Sequence, residues 1–257
     1  MKLFSKDAFE KRIHEIDLFR GFLICLVMFD HLMWSINFYI FNSSQPFLYW
    51  YWTNDIRFAV RQVVLIAFLF TCGISCHFSR NNKKRGLLLL GLCILITIGT
   101  HLFQLLPVFS GRIIAIDFNV LGVIALSILF YALLEKASNK NLIFISAILM
   151  LFYFFIILST RLTPDNTYNP FKSILFLSFN PVPAGYVADY LPLFPYIIAL
   201  PLGVVFGRMF YKEKKSLFKR GEWERPFCFL GRHTLLIYIA HEILFTLVFM
   251  GIGALIK

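Results

Sequence analysis

Long apolar runs separated by short polar breaks fill the chain from residue 18 to its end. Runs near the ~20 residues that cross a hydrocarbon core as a helix occupy roughly 18–40, 56–78, 86–106, 115–134, 141–159, 191–211 and 230–256. They are apolar on every face, whereas a membrane barrel would show ~10-residue alternating segments. The pattern predicts an all-α, polytopic membrane helical bundle of about seven transmembrane helices. The breaks at 42–46, 80–85, 107–112, 135–141, 161–190 and 212–225 carry the expected turn residues and charges. No segment is polar and long enough to be a separate soluble domain, and no internal repeat is evident. The expectation is one transmembrane domain over 1–257, with an outer interfacial loop at 160–190 inside it. Pro192, Pro195 and Pro201 predict a kinked or broken sixth span.

Composition sharpens the picture. Of 257 residues, 59% are hydrophobic and only 15% charged, against about a quarter charged in soluble domains. The excess apolar surface calls for lipid as solvent. Residues 1–17 are polar, and the run after them is too long for a cleaved signal, so it reads as a retained first span. The five cysteines (25, 72, 76, 93 and 228) form no metal-ligand or disulfide spacing and read as small packed hydrophobes.

Charge sets orientation. Of 25 Lys and Arg residues, 18 fall on the side of the N-terminal arm and five on the other. The positive-inside rule then puts the N-terminus in the cytoplasm and the C-terminus outside. The net charge of +11 fits topology with attraction to anionic lipid, or a cytoplasmic basic surface that holds a polyphosphate ligand. Nucleic acid is not an expected partner, because the basic residues are strung across loops with no recognition fold.

Ionisable residues inside spans are costly and mark functional sites. The first span carries Asp17, Arg20, Asp30 and His31; the last carries Arg232, His233, Tyr238, His241 and Glu242. His31 lies 11 residues beyond Arg20, which is three turns and about 20°, so the two share a face. His241 lies ten residues beyond Gly231, roughly 15 Å along a helix running the same way. The two imidazoles are therefore expected at one depth near the middle of the membrane, bordering a common cavity lined by Tyr238. His101, Asp117 and Asn119 sit at span ends, where packing or capping explains them equally well. His14 stands in the polar arm. No P-loop, dinucleotide fingerprint, nucleophile elbow or zinc-protease motif is present. Buried imidazoles, carboxylates and an arginine suit a general base acting on a membrane-held substrate, or a proton-coupled carrier.

Four blocks in order carry a resemblance. Residues 12–31 (RIHEIDLFRGFLICLVMFDH), 68–86 (FLFTCGISCHFSRNNKKRG), 187–207 (VADYLPLFPYIIALPLGVVFG) and 230–244 (LGRHTLLIYIAHEIL) resemble prokaryotic membrane proteins of one family. That family is grouped with the heparan-α-glucosaminide N-acetyltransferase catalytic domain, within a wider transmembrane acyltransferase class. The resemblance implies transfer of an acyl group, acetyl in the first instance, from cytoplasmic acyl-CoA to a hydroxyl or amine acceptor at or across the membrane. It maps Asp17, Arg20 and Gly21 onto the family's first-span Asp-x-x-Arg-Gly, His241 onto its last-span His, and His31 onto a His common in the prokaryotic branch. The chain departs from the family in two places. Loop 42–55 lacks the catalytic His of the lysosomal enzymes, and the fourth span reads Leu121-Gly122 where many prokaryotic relatives have a His.

The reading is a plasma-membrane, multi-pass acyltransferase. His31, His241 and Asp30 are the expected catalytic residues. Asp17, Arg20, Arg80, Arg232, His233 and Tyr238 are expected to bind acyl-CoA, which acts as cosubstrate with no permanently bound cofactor and no metal. Membrane lipids and a glycan or small-molecule acceptor are the expected partners, and a homodimer stays open. The competing readings are a small-solute transporter or proton-coupled carrier, and a family member that has lost catalysis.

Overall fold

The structure, a computed structural model, describes residues 12–41, 46–109, 114–162, 189–219 and 221–256. Helix α1 (His14–Ser35) ends in a π-turn, Ile36–Ile40. A short aromatic helix α2 (Pro46–Thr53) then leads into α3 (Asp55–Phe78). Next come α4 (Asn82–Gln104), α5 (Val120–Leu133), α6 (Asn139–Leu162), α7 (Ala199–Phe210), α8 (Arg225–Arg232) and α9 (Thr234–Ile256). Among the described residues there is no strand, only an isolated parallel bridge between Ile116 and Asp189. The protein is all-helical.

Among the described residues, four helices are long and apolar enough to cross a membrane: Asp55–Phe78, Asn82–Gln104, Asn139–Leu158 and Thr234–Ile256. The remaining expected spans are shorter or more polar. The run 18–40 falls on α1, which carries Asp17, Arg20 and Asp30. The runs 115–134 and 191–211 fall on the shorter apolar helices Val120–Leu133 and Tyr196–Phe210. Large apolar side chains stand exposed along the long helices, among them Leu88, Leu95, Leu151, Phe155 and Leu247. A surface of this kind is matched by lipid tails. The expected loop at 160–190 lies mostly outside the described residues. All five cysteines are free thiols.

The chain divides into two compact units, Met1–Phe68 with Tyr211–Lys257, and Leu69–Phe210. In the first, α1 packs on α8 and α9. The contact of α1 with α8 needs glycine. A Cβ at Gly21 would fall on the Phe227 carbonyl, and one at Gly231 on the Asp17 carbonyl, so small residues let the two backbones touch. Leu23, Ile24, Val64 and Phe68 form the adjoining core, with Leu230, Ile237 and Tyr238 against it.

In the second unit, one polar stripe of α4 pins an extended segment. Thr97 donates to the Asp117 carbonyl at 2.8 Å. The Ile116 amide donates to Thr100 at 3.0 Å, and the Ile114 amide to Gln104 at 2.6 Å. These residues recur at three- and four-residue intervals and so share a helix face. Asn119 then caps α5 by accepting from the Leu121 and Gly122 amides. Arg208 closes the other end of α5, donating to the carbonyls of Glu135 and Ala137 and to the Tyr131 hydroxyl. An arginine at a helix C-terminus also meets the negative end of the helix dipole.

Candidate functional site

The site lies in the first unit, where α1 and α9 face each other. His31 on α1 and His241 on α9 are stacked, with ring centroids 5.0 Å apart. Nδ1 of His31 is 2.8 Å from Nε2 of His241. Glu242 places Oε1 in hydrogen-bond contact with the same His31 nitrogen. Tyr238, one turn before Glu242, borders both rings at 6.4 and 5.7 Å. His241 is buried, whereas His31 and Glu242 are partly open.

Hydrogen-bond logic assigns the protons. His241 Nδ1 lies 2.9 Å from the Ile237 carbonyl, which can only accept, so this nitrogen donates. In a neutral ring its Nε2 then carries the lone pair and accepts from His31 Nδ1. Glu242 competes for the same His31 proton. The neutral His31 ring accordingly keeps its lone pair on Nε2. His31, His241 and Glu242 also lie close enough to enclose a small cation. Tetrahedral ligands about 2 Å from zinc sit about 3.4 Å from one another, so the 2.8 Å spacing between the nitrogens fits a shared proton better.

Asp30, the neighbour of His31, has its carboxylate occupied. Arg57 donates from Nε and Nη2 to the two oxygens at 2.7 Å each, and Tyr51 donates at 2.8 Å. The guanidinium lies 3.6 Å above the Trp52 ring, a cation–π contact. Burial first, then the bond to the Asp30 carboxylate, push the Tyr51 phenol up to about 12, so it donates at any physiological pH. Arg57 stands in the first turn of α3. The imidazole pair therefore lies near the end of α3 that adjoins α2, rather than at its midpoint.

The residues expected to hold acyl-CoA belong to both compact units. Asp17 is buried, with Oδ2 3.4 Å from Arg232 Nε and 3.5 Å from Arg12 Nε. Arg20 lies half-buried on α1, three residues beyond Asp17. His233 donates through Nδ1 to the Phe229 carbonyl at 2.9 Å, at the break between α8 and α9. Arg80 is exposed in the second unit, between α3 and α4.

Sequence reasoning missed the Arg57–Tyr51–Trp52 clamp. The available signal was the aromatic run Tyr49-Trp50-Tyr51-Trp52 just before a charged helix start. It also passed over His14, which is drawn into a nearly closed polar cluster with Glu15, Ser216 and Glu224.

No curated protein and no solved structure matches the chain. Residues 12–243 match the family model described as heparan-alpha-glucosaminide N-acetyltransferase, catalytic. That match includes every residue of the imidazole site, His31, Tyr238, His241 and Glu242 among them, and the chain belongs to this membrane acyltransferase-like family.

Proposed function

We propose that the protein moves an acyl group, acetyl in the simplest case, from cytoplasmic acyl-CoA to a hydroxyl or amine acceptor at or across the membrane. The observation that carries this reading is the 2.8 Å contact between His31 and His241, with Glu242 on the same nitrogen. The acceptor oxygen or nitrogen attacks the thioester carbonyl and gives its proton to His31. The carbon–sulfur bond breaks, and the thiolate takes that proton from His31, so that CoA leaves as the thiol and the ring returns to neutral. His241 and Glu242 share the positive charge that builds on His31, which is where a positioned base gains most. Asp30, held by Arg57, fixes the end of α1 that presents the ring.

Arg20, Arg80 and Arg232 supply charge-assisted bonds for CoA phosphates, with Asp17, His233 and Tyr238 completing the donor's path. CoA comes and goes as cosubstrate, and the acceptor is a glycan or small molecule. The chain sits in the plasma membrane with about seven spans, its N-terminus inside and its C-terminus outside, and is able to pair as a homodimer. The positive-inside count supports this orientation. A reporter active only in the cytoplasm should work after Lys215 and be silent after Lys257; activity at both positions would mean that the last span does not cross.

Mass spectrometry of ligand retained by the purified protein tests the function. A CoA species, with acetyl transfer from labelled acetyl-CoA in vesicles, is expected. Protein that retains no CoA species but accumulates a small solute in vesicles would make it a carrier.

A further inference from the structure

Helix α2 reads PFLYWYWT, eight residues without a charge. It has two dissimilar faces. Phe47, Tyr49 and Trp50 point away from the protein and are 61%, 68% and 57% exposed. Tyr51 and Trp52 point inward, one bonded to Asp30 and the other under the Arg57 guanidinium. Phe47 and Trp50 lie together, ring centroids 5.9 Å apart. Immediately after α2, the first turns of α3 carry Ile56, Phe58 and Val63, also exposed. The aromatic face thus continues into the apolar surface of a helix suited to crossing a membrane.

Tyrosine and tryptophan rings favour the headgroup zone, where an apolar body and a polar edge are both satisfied. We propose that α2 is a bilayer-interface anchor, with Phe47, Tyr49 and Trp50 seated among lipid headgroups, and that it holds Arg57 on Asp30 and so positions His31. The anchor stands apart from the catalytic reading; the positioning of His31 rests on it. Arg57 and Tyr51 are positioning residues, acting through Asp30 on the ring one residue further along. Removing Arg57 leaves a carboxylate uncompensated beside His31, which costs more than removing both charges.

The depth of α2 is measured in vesicles of phosphatidylcholine brominated at defined chain positions. The probe is Trp50 as sole tryptophan, with Trp34→Phe, Trp52→Phe and Trp223→Phe. Bromines nearest the headgroup should quench it most. A lack of quenching at every depth, strongest quenching at the chain end, or quenching relieved by a soluble glycan would overturn the anchor; the last would make α2 a platform for sugar rings. Because Trp52→Phe alters the clamp, the same depth is read from a nitrobenzoxadiazole label on Tyr49→Cys with Cys25→Ser, the other thiols being buried.

For the coupling, Arg57→Gln and the pair Tyr49→Ala/Trp50→Ala should each lower kcat about tenfold, since small misplacements of a catalytic group have effects of that order or larger. Acyl-CoA affinity should hold in both; the melting temperature should hold in Tyr49→Ala/Trp50→Ala and fall in Arg57→Gln. Asp30→Asn added to Arg57→Gln should restore part of the rate. Unchanged kcat, or no restoration, would overturn the positioning role. A parent protein that transfers no acyl group counts against the acyltransferase reading alone and leaves the quenching result standing.

Discussion

His14 and His31 lie on one helix, 17 residues apart, each with carboxylates beside it, yet they are built for different work. His14 joins three stretches of chain. Its amide donates to Ser216 Oγ at 3.1 Å, its Nδ1 lies 2.9 Å from the same oxygen, and its Nε2 is 3.4 Å from Glu224. Glu15, alongside, accepts from the Leu217 amide at 2.5 Å. Both ring nitrogens are thus committed to holding the 211–219 segment and the Glu222–Glu224 turn onto the start of α1. His31 instead shares one proton with a second ring and a carboxylate. A proton with several near-equivalent resting places suits transfer; a ring fixed by several segments suits architecture. Burial and carboxylate neighbours alone do not tell the two apart.

The largest expected effect is at His31. His31→Ala should lower turnover about 10²- to 10⁴-fold, the usual worth of a positioned base, with acyl-CoA binding and melting temperature retained. A preserved rate would move the base elsewhere and erase the contrast with His14. His241→Ala should lose turnover and weaken acyl-CoA binding together, whereas Glu242→Gln keeps a hydrogen-bond partner and should lose about tenfold in kcat only. Steady-state kinetics beside a direct binding measurement separate these outcomes.

His14→Ala should act the opposite way. Glu15 and Glu224 each turn a buried oxygen to the His14 ring, at 3.3 and 3.4 Å, and removing the imidazole takes that contact away. About 1–3 kcal/mol of stability should be lost, read as a lower melting temperature and faster tryptic cutting at Lys212, Lys214 and Lys215. Turnover per folded molecule should not change; a kcat loss at constant stability would place His14 in the reaction. The smallest effect is expected at Arg80. Arg80→Ala should weaken acyl-CoA binding several-fold at low salt and have little effect at high salt, because exposed charges are screened. Salt-independent binding would name the acyl chain or adenine as the anchor instead.

How much of this was readable beforehand follows from the distance over which each contact is set. The meeting of His31 with His241 follows from helix rise alone, given two helices running the same way from neighbouring starts. It survives the break at His233 because Thr234 returns a hydrogen bond to the Gly231 carbonyl at 2.7 Å, keeping the turn tight. The clamp on Asp30 depends on Arg57, 27 residues away on another helix, so no periodicity points to it. His14 looked like part of a polar arm because its partners, Ser216 and Glu224, lie more than 200 residues further on. The seven apolar runs were legible as runs, but among the described residues four became helices both long and apolar enough to cross a membrane, while α1 is as long but carries charges. Length and hydropathy do not report where within a run a helix starts, as at Asn119, which caps α5.

The glycine contact between α1 and α8 has a consequence for spacing. Gly21 precedes His31 by ten residues, and Gly231 precedes His241 by ten. With the backbones touching at the glycines, the two helices work as a matched pair of rulers with a common zero. One residue inserted between Gly21 and His31 would turn that imidazole by about 100° and lift it by about 1.5 Å. Single-residue insertions and deletions between these marks are therefore expected to be far less tolerable than side-chain exchanges along the same stretch. What the chain must conserve there is a length, counted the same way on both helices.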